Sequence, residues 1–441
     1  MGTKHLTAWF LVSAAFVVNG RAQSTGTSPD AAGTQSGGLQ DYLARTVKLQ
    51  GSFRARWEAP QGSDFTVTPA DSFLLTRLRL GVAFQPTPWI RLFAETQDAR
   101  AEFYQATPSS SVTDPLDFRQ GYVEAGRLEG NGVKVRIGRQ DLNFGASRLI
   151  TSGDWSNVTK SFDIVRGTLT ASAFKLDLIA GSPLLYDTTR MDRHKPGEHF
   201  YVAYAVFSKL IPNAVVEPYF MAKTAMNCKS KDNAVGNADT LYGGLRIAGK
   251  APFGFDYTAE AVREGGDYGS DVIQAWGYVA GGGWTHSLLP WKLHASSDYL
   301  WASGDSGRKD GHHQSFDYLY GSNQPLNGLT GMFCWRNLAA WRAGADFSPH
   351  RRVKVKIDFR DYWLATVQDG LYNAIGVRTV LNAKATSSHV GEGVDAQVTT
   401  TITPKTSLGV GVGNLAPGSY LYQSGKTSGF VYPYLVFSRL L

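Results

Sequence analysis

Cysteine is nearly absent: Cys228 and Cys334 are the two in 441 residues. That is too few for a disulfide scaffold, and neither has metal-ligand spacing. Long apolar runs are also missing after residue 18. A helical span needs about 20 apolar residues, so with a mean hydropathy of −0.21 a helical membrane protein is excluded. Catalytic constellations are scarce too. His294 and Asp298 stand four apart on one expected strand, too far for a direct hydrogen bond, and Gly281-Gly282-Gly283 has no helix after it to make a phosphate loop. His312 and His313, with Asp305 and Asp310, form a polar cluster without a full ligand set. The chain reads as a non-enzyme with no cofactor.

What is present is aromatic and glycine-rich: 12% Phe, Trp and Tyr with 48 glycines, which a disordered chain would lack. Lys4 and His5 precede an apolar stretch, Ala8 to Val18, and small residues close it at Gly20 and Ala22. This is the pattern of a signal peptide over 1–22. Without Lys4 and Arg21, 42 basic residues face 37 acidic ones. Residues 23–42 begin with a Ser/Thr/Gly-rich leader that cannot bury enough surface to fold. From 43 to 441 the composition does not break, so one domain is expected. Although the pI is near 9.2, export argues against a nucleic-acid partner.

Within that domain apolar and polar residues alternate. Val47, Leu49, Phe53, Ala55 and Trp57 share one face; Lys48, Gln50, Arg54, Arg56 and Glu58 share the other. Leu74, Leu78, Leu80 and Val82 oppose Arg77 and Arg79, and Val353, Val355, Ile357 and Phe359 oppose Lys354, Lys356, Asp358 and Arg360. A soluble sandwich also alternates. The connections distinguish the two, because short Pro- or Gly-bearing turns such as Gln85–Pro88 and Gly249–Pro252 take turns with long polar stretches such as 142–160 and 303–334. That rhythm predicts an all-β fold, a transmembrane antiparallel barrel of about 18 strands with short periplasmic turns and long outer loops. Trp57, Trp89, Trp291, Trp301, Trp335 and Trp363 fall where two interfacial girdles are expected.

If the apolar faces meet outer-membrane lipid, the others line a lumen rich in guanidinium. Arg54, Arg56, Arg77, Arg79, Arg136, Arg246, Arg342, Lys354, Lys356 and Arg360 are its candidate substrate-binding residues, set to attract anions and to match carboxylates with paired N–H donors. Glu58, Glu95, Asp177, Asp298 and Asp358 are the clearest acids on the same faces. Cys228 and Cys334 fall in expected outer loops of an oxidising compartment, where a disulfide is possible. Loop 142–160 exceeds a hairpin's needs and is expected to fold inward.

Two segments carry a family resemblance. The first is Gly138-Arg-Gln-Asp-Leu142, continued by Gly145 to Ile150, Asp154-Trp-Ser-Asn157 and Ser161-Phe-Asp-Ile-Val-Arg166; the second is Trp301-Ala-Ser-Gly-Asp305 leading to Phe316-Asp-Tyr-Leu319. Together they resemble the alginate-export family of outer-membrane porins. The family commonly has a histidine after the second segment, where Asn323 and Gln324 stand here. The aromatic-rich last strand from Phe430 resembles the closing strand recognised by barrel-assembly machinery, with Leu441 where phenylalanine is usual. The resemblance adds Arg139 and Arg166 to the candidate site. Strict alternation puts Arg139 on the apolar side, so either a bulge near Gly138 shifts the phase or Arg139 lies above the membrane. What the resemblance implies is a monomeric channel passing alginate or a related uronate polymer, an anionic polysaccharide, out of the periplasm, with periplasmic secretion components as partners. An uptake porin for small anions or sugars, a barrel enzyme and a non-conducting scaffold are the alternatives.

Overall fold

In this computed structural model residues 38–441 are described, apart from 106, 230–234, 287–288, 290 and 308–309. The expected signal peptide and most of the leader lie outside them. The leader's last residues open a short helix, α1 (Leu39–Thr46), where only irregular chain was expected.

Eighteen strands then follow in an up-and-down order. The first nine are β1 (Val47–Glu58), β2 (Phe73–Thr87), β3 (Ile90–Glu102), β4 (Asp114–Gly126), β5 (Gly132–Gln140), β6 (Phe162–Thr170), β7 (Phe174–Leu185), β8 (Glu198–Phe207) and β9 (Ala214–Lys229). The rest are β10 (Val235–Lys250), β11 (Phe255–Tyr268), β12 (Asp271–Thr285), β13 (His294–Ala302), β14 (Leu338–His350), β15 (Val353–Leu364), β16 (His389–Thr403), β17 (Thr406–Pro417) and β18 (Phe430–Leu440). Each pairs antiparallel with its neighbours, and β1 closes on β18 from Ser52 opposite Leu440 to Glu58 opposite Tyr434. Closure removes the open edges that hydrocarbon cannot solvate.

The period-two pattern sets the two faces. Leu49, Leu80, Val133, Ile137 and Leu178 stay exposed on the outside, where a membrane would cover them, whereas Arg54, Arg56, Arg77 and Glu124 are buried within. Trp89 and Trp291 are exposed as girdle residues should be. Trp335 is not one of them: β14 begins at Leu338, and the Trp335 ring is fully buried against Phe316, its indole N–H donating to the Trp301 carbonyl at 3.1 Å.

Cys228, expected in an outer loop, instead sits in the ladder between β9 and β10, opposite Gly236. Cys334 is buried in the connection between β13 and β14, and both thiols are free, so the possible disulfide is absent. A large apolar cluster fills the outer half of the barrel. Leu142, Phe144, Leu149 and Ile150 meet Phe316, Phe333 and Trp335 there, against wall residues such as Phe162, Tyr242 and Val279.

Candidate functional site

Arg54 and Arg77 face each other directly across β1 and β2. Like charges opposed in a ladder repel, so something anionic must lie between them. It is the chain itself. The connection after β5 turns into the lumen, and its Asp154 and Ser156 carbonyls point at both forks. Arg54 donates to the Asp154 carbonyl at 2.7 Å and the Ser156 carbonyl at 3.0 Å; Arg77 donates to the same two oxygens, each at 3.0 Å. The Asp154 carboxylate then accepts from Arg77 at 2.9 Å and Arg79 at 3.0 Å. Arg56 pairs with Glu58 and lies 4.2 Å over the Trp155 ring, which also meets Tyr434 edge-on. The expected inward loop is therefore real, and Arg54, Arg56, Arg77 and Arg79, four of the candidate substrate-binding residues, hold it.

The opposite end of the loop is tied as firmly. Arg148 reaches Glu260 on β11 at 2.7 Å, and Phe144 stacks on Tyr204 of β8. Ile150 forms a parallel bridge with Tyr320 of the connection between β13 and β14, where Tyr320 N–H donates to the Leu149 carbonyl at 2.9 Å. Lys160 donates to the Tyr320 carbonyl at 2.9 Å and the Gly321 carbonyl at 2.6 Å. Burial without a carboxylate partner lowers the Lys160 ammonium to about 8. Asp317 anchors the connection between β13 and β14 to Lys223 of β9 at 2.8 Å and pairs with Arg336 of the same connection at 3.4 Å. Burial alone would raise its carboxyl, but these two cations outweigh that and hold it at about 2. The two sequence segments that carry the resemblance, 160 residues apart in the chain, thus meet inside the barrel.

Two further guanidinium pairs repeat the first. Arg136 stands opposite Arg166, and Arg342 opposite Arg360. Glu124 takes Arg136 at 2.9 Å together with Lys134 at 3.2 Å and Arg91 at 3.6 Å. Asp177 takes Arg166 at 2.9 Å and Lys175 at 3.1 Å. Asp358 takes Arg342, Lys356 and Arg360 at 2.7, 3.3 and 3.2 Å, with Asp298 and Asp395 on the outer sides of the two arginines. Single carboxylates thus sit among several cations. Arg246 pairs with Glu217. Lys354 is exposed and has no hydrogen-bond or ion-pair partner among the described residues.

Open space remains beside these groups. A cavity of about 380 Å³ lies between the loop and the wall, lined by Asp154, Trp155, Gln324, Lys356 and Arg360. Another, of about 410 Å³, runs from Arg54, Arg77 and Arg79 to Lys405 and Arg439. A third, of about 760 Å³, lies toward the inner end among Lys48, Gln85, Arg91, Tyr122 and Glu129.

Arg139 resolves as the second of its two alternatives. The ladder keeps its register through Gly138, so no bulge shifts the phase there. Gly138 has φ +126, and a Cβ there would come within 2.3 Å of the Gly121 carbonyl, so the position demands glycine. Arg139 lies at the outer rim, donating to Asp163 at 2.9 Å and to the carbonyls of Phe118 and Asp192, each at 2.9 Å. Sequence reasoning missed Arg119, which pairs with Glu95 and Asp141 from a bulge in β4. It also missed the acids Glu124, Glu217, Glu260 and Asp395, although Glu217 and Glu260 fall on the inward parity of their strands. His313 stacks on Tyr268 instead of joining a ligand set.

Comparison with known proteins agrees with this geometry. Residues 45–430 match the family described as alginate export. Among solved structures, OccAB1 of Acinetobacter baumannii is similar at 10% identity and a TM-score of 0.60, covering 90% of this chain and 96% of that one. OccK10 (OpdN) of Pseudomonas aeruginosa is similar at 10% identity and a TM-score of 0.60, covering 90% and 99%. OpdK of Pseudomonas aeruginosa, solved with vanillate, is similar at 10% identity and a TM-score of 0.59, covering 90% and 98%. At such identities the likeness concerns the fold. No curated protein matches the chain.

Proposed function

The chain belongs to the alginate-export family, an outer-membrane channel family, and from that premise we propose that its pore selects anions and passes alginate or a related uronate polymer out of the periplasm. The observation that carries this reading is the set of three cross-strand guanidinium pairs: Arg54 with Arg77, Arg136 with Arg166, and Arg342 with Arg360. Each is stable only with carboxylate or carbonyl oxygens at the forks. A uronate carries one carboxylate per sugar and can substitute for those oxygens by the same two parallel N–H bonds. Several sites of moderate strength let a polymer enter and leave, as conduction requires. Lys354, Lys356 and Arg360 extend the basic track on β15. The protein acts as a monomer, supplied by periplasmic secretion components, and as a conduit without chemistry of its own.

Reversal potential across a planar bilayer in a salt gradient tests this, with oligouronates then added as blockers. Chloride should be preferred over potassium, and oligouronates should interrupt the current more than neutral oligosaccharides do. Arg136→Ala with Lys354→Ala and Lys356→Ala should weaken both effects together, more than any single change, because water and salt screen each charge over roughly 8–10 Å. Cation preference rejects the mechanism. A second reading, uptake of small carboxylates, draws support from vanillate bound to the structurally similar OpdK; chloride preference without oligouronate block would favour it.

A further inference from the structure

At the outer rim, away from the lumen pairs, three carboxylates converge. Asp114 and Asp117 stand at the outer end of β4, and Asp192 comes from the connection between β7 and β8. All three are buried, at 4%, 4% and 8% exposure. One carboxylate oxygen from each lies within 4.8 Å of the others. Such convergence of like charge is costly without compensation. Part of the lone-pair capacity is used: Asp117 accepts from the Phe118 and Asp192 N–H groups, each at 2.5 Å, and Asp192 accepts from the Asp187 N–H at 2.9 Å. Asp114 is different, since its Oδ1 is buried and has no hydrogen-bond partner. A buried carboxylate oxygen left without a donor needs something else to bind it.

Among the described residues, no ion pair to these three carboxylates supplies the missing charge. Arg139 is the cation beside the cluster, yet its Nε is committed to Asp163 and its Nη2 to the Asp192 carbonyl, not to any of the three carboxylates. Asp98, also near, is held by Arg100 at 2.7 Å. Three carboxylates therefore face one guanidinium that a fourth, Asp163, already shares.

We propose that Asp114, Asp117 and Asp192 form a divalent-cation site that takes calcium and pins the connection between β7 and β8 to the outer end of β4. The ligand set is all oxygen, which suits a hard cation over a transition metal. The three oxygens lie within 4.8 Å of one another, close enough for all of them to reach one calcium at about 2.3–2.6 Å, and calcium tolerates the irregular geometry of a set drawn from two segments better than magnesium does. Three acidic ligands on a barrel rim place the affinity on the order of 10⁻⁴–10⁻³ M, typical of extracellular sites. The bound ion would hold Asp192 in place and, through its carbonyl, Arg139.

The test uses the full chain, folded in detergent and stripped with chelator. Calcium is titrated by calorimetry, and the heat-modifiable band is followed against temperature with and without the ion. The expected result is one calcium per chain and a transition that rises by several degrees. Asp114→Asn with Asp192→Asn should weaken binding roughly 10-fold or more and abolish the calcium-dependent rise, while the unboiled band reports that the variant still folds. Should the double variant fail to fold, Asp114→Asn alone serves, because that oxygen holds no other contact. No calcium uptake by the native chain overturns the proposal. So does uptake that both variants retain, or a native transition indifferent to calcium that the substitutions raise; the last would mean that the carboxylates share a proton instead of an ion.

Discussion

Arg77→Ala should loosen the inward loop, and the size of the effect can be worked from its contacts. The guanidinium makes three: the Asp154 and Ser156 carbonyls at 3.0 Å each and the Asp154 carboxylate at 2.9 Å. A buried hydrogen bond from a charged donor is worth about 1.5–3 kcal/mol net. Asp154 has 76% of its side chain exposed, so the ion pair counts for about 0–1 kcal/mol. Arg54 keeps its hold on both carbonyls when Arg77 is gone, and loss of Arg77 relieves the cross-strand repulsion. The residue of these opposing effects is about 2 kcal/mol in favour of the docked loop, or about 30-fold in the ratio of undocked to docked states. Single-channel recording in planar bilayers reads that ratio as the fraction of time spent at high conductance. Arg77→Ala should raise it about 30-fold, and Arg77→Lys by less, because a lysine keeps the charge but cannot fork. Arg54→Ala with Arg77→Ala should exceed the sum of the single changes in free energy, since either fork alone can hold the same oxygens. An unchanged record from a variant that still shows heat-modifiable mobility would refute the reasoning.

Other consequences can be measured separately. Lys160 has its ammonium lowered from 10.5 to about 8 in the docked loop; the undocked state binds more protons between those values, so docking strengthens as pH rises through 8 toward 10. High-conductance time should fall over that range, and Lys160→Met should flatten the dependence. Cys334 is fully buried, and burial pushes its thiol up to about 12. Thiol labelling of the folded, unreduced protein should spare Cys334, and labelling after unfolding should find two free thiols.

The barrel was legible because lipid outside and water inside impose a period of two on every strand, and because turns and loops differ in composition. The expected count of about 18 strands followed from those grounds, and the barrel has eighteen. The interior was not legible to the same degree. Arg54 and Arg77 read as free lumen charges, since nothing local says that a segment 77 residues beyond Arg77 returns its carbonyls to them. Arg119 was hidden by the bulge that turns it inward, and Trp335 was taken for a girdle residue because a loop aromatic and a strand-end aromatic look alike in sequence. The meeting of Ile150 with Tyr320 depends on two long loops filling one space. Residue type signalled both segments; only the folded chain gives their contact.

The bridge between Ile150 and Tyr320 also bears on how the two loops have been free to vary. Because each supplies backbone partners to the other, a change of length in one displaces the partner's carbonyls as well as its own. The shared bonds tie the two loops together, so displacing one must either carry the other with it or break the bridge. Current through the pore should accordingly step between two levels instead of drifting across a continuum, and natural variation in loop length should fall outside 147–151 and 320–322, in the stretches that the bridge does not clasp.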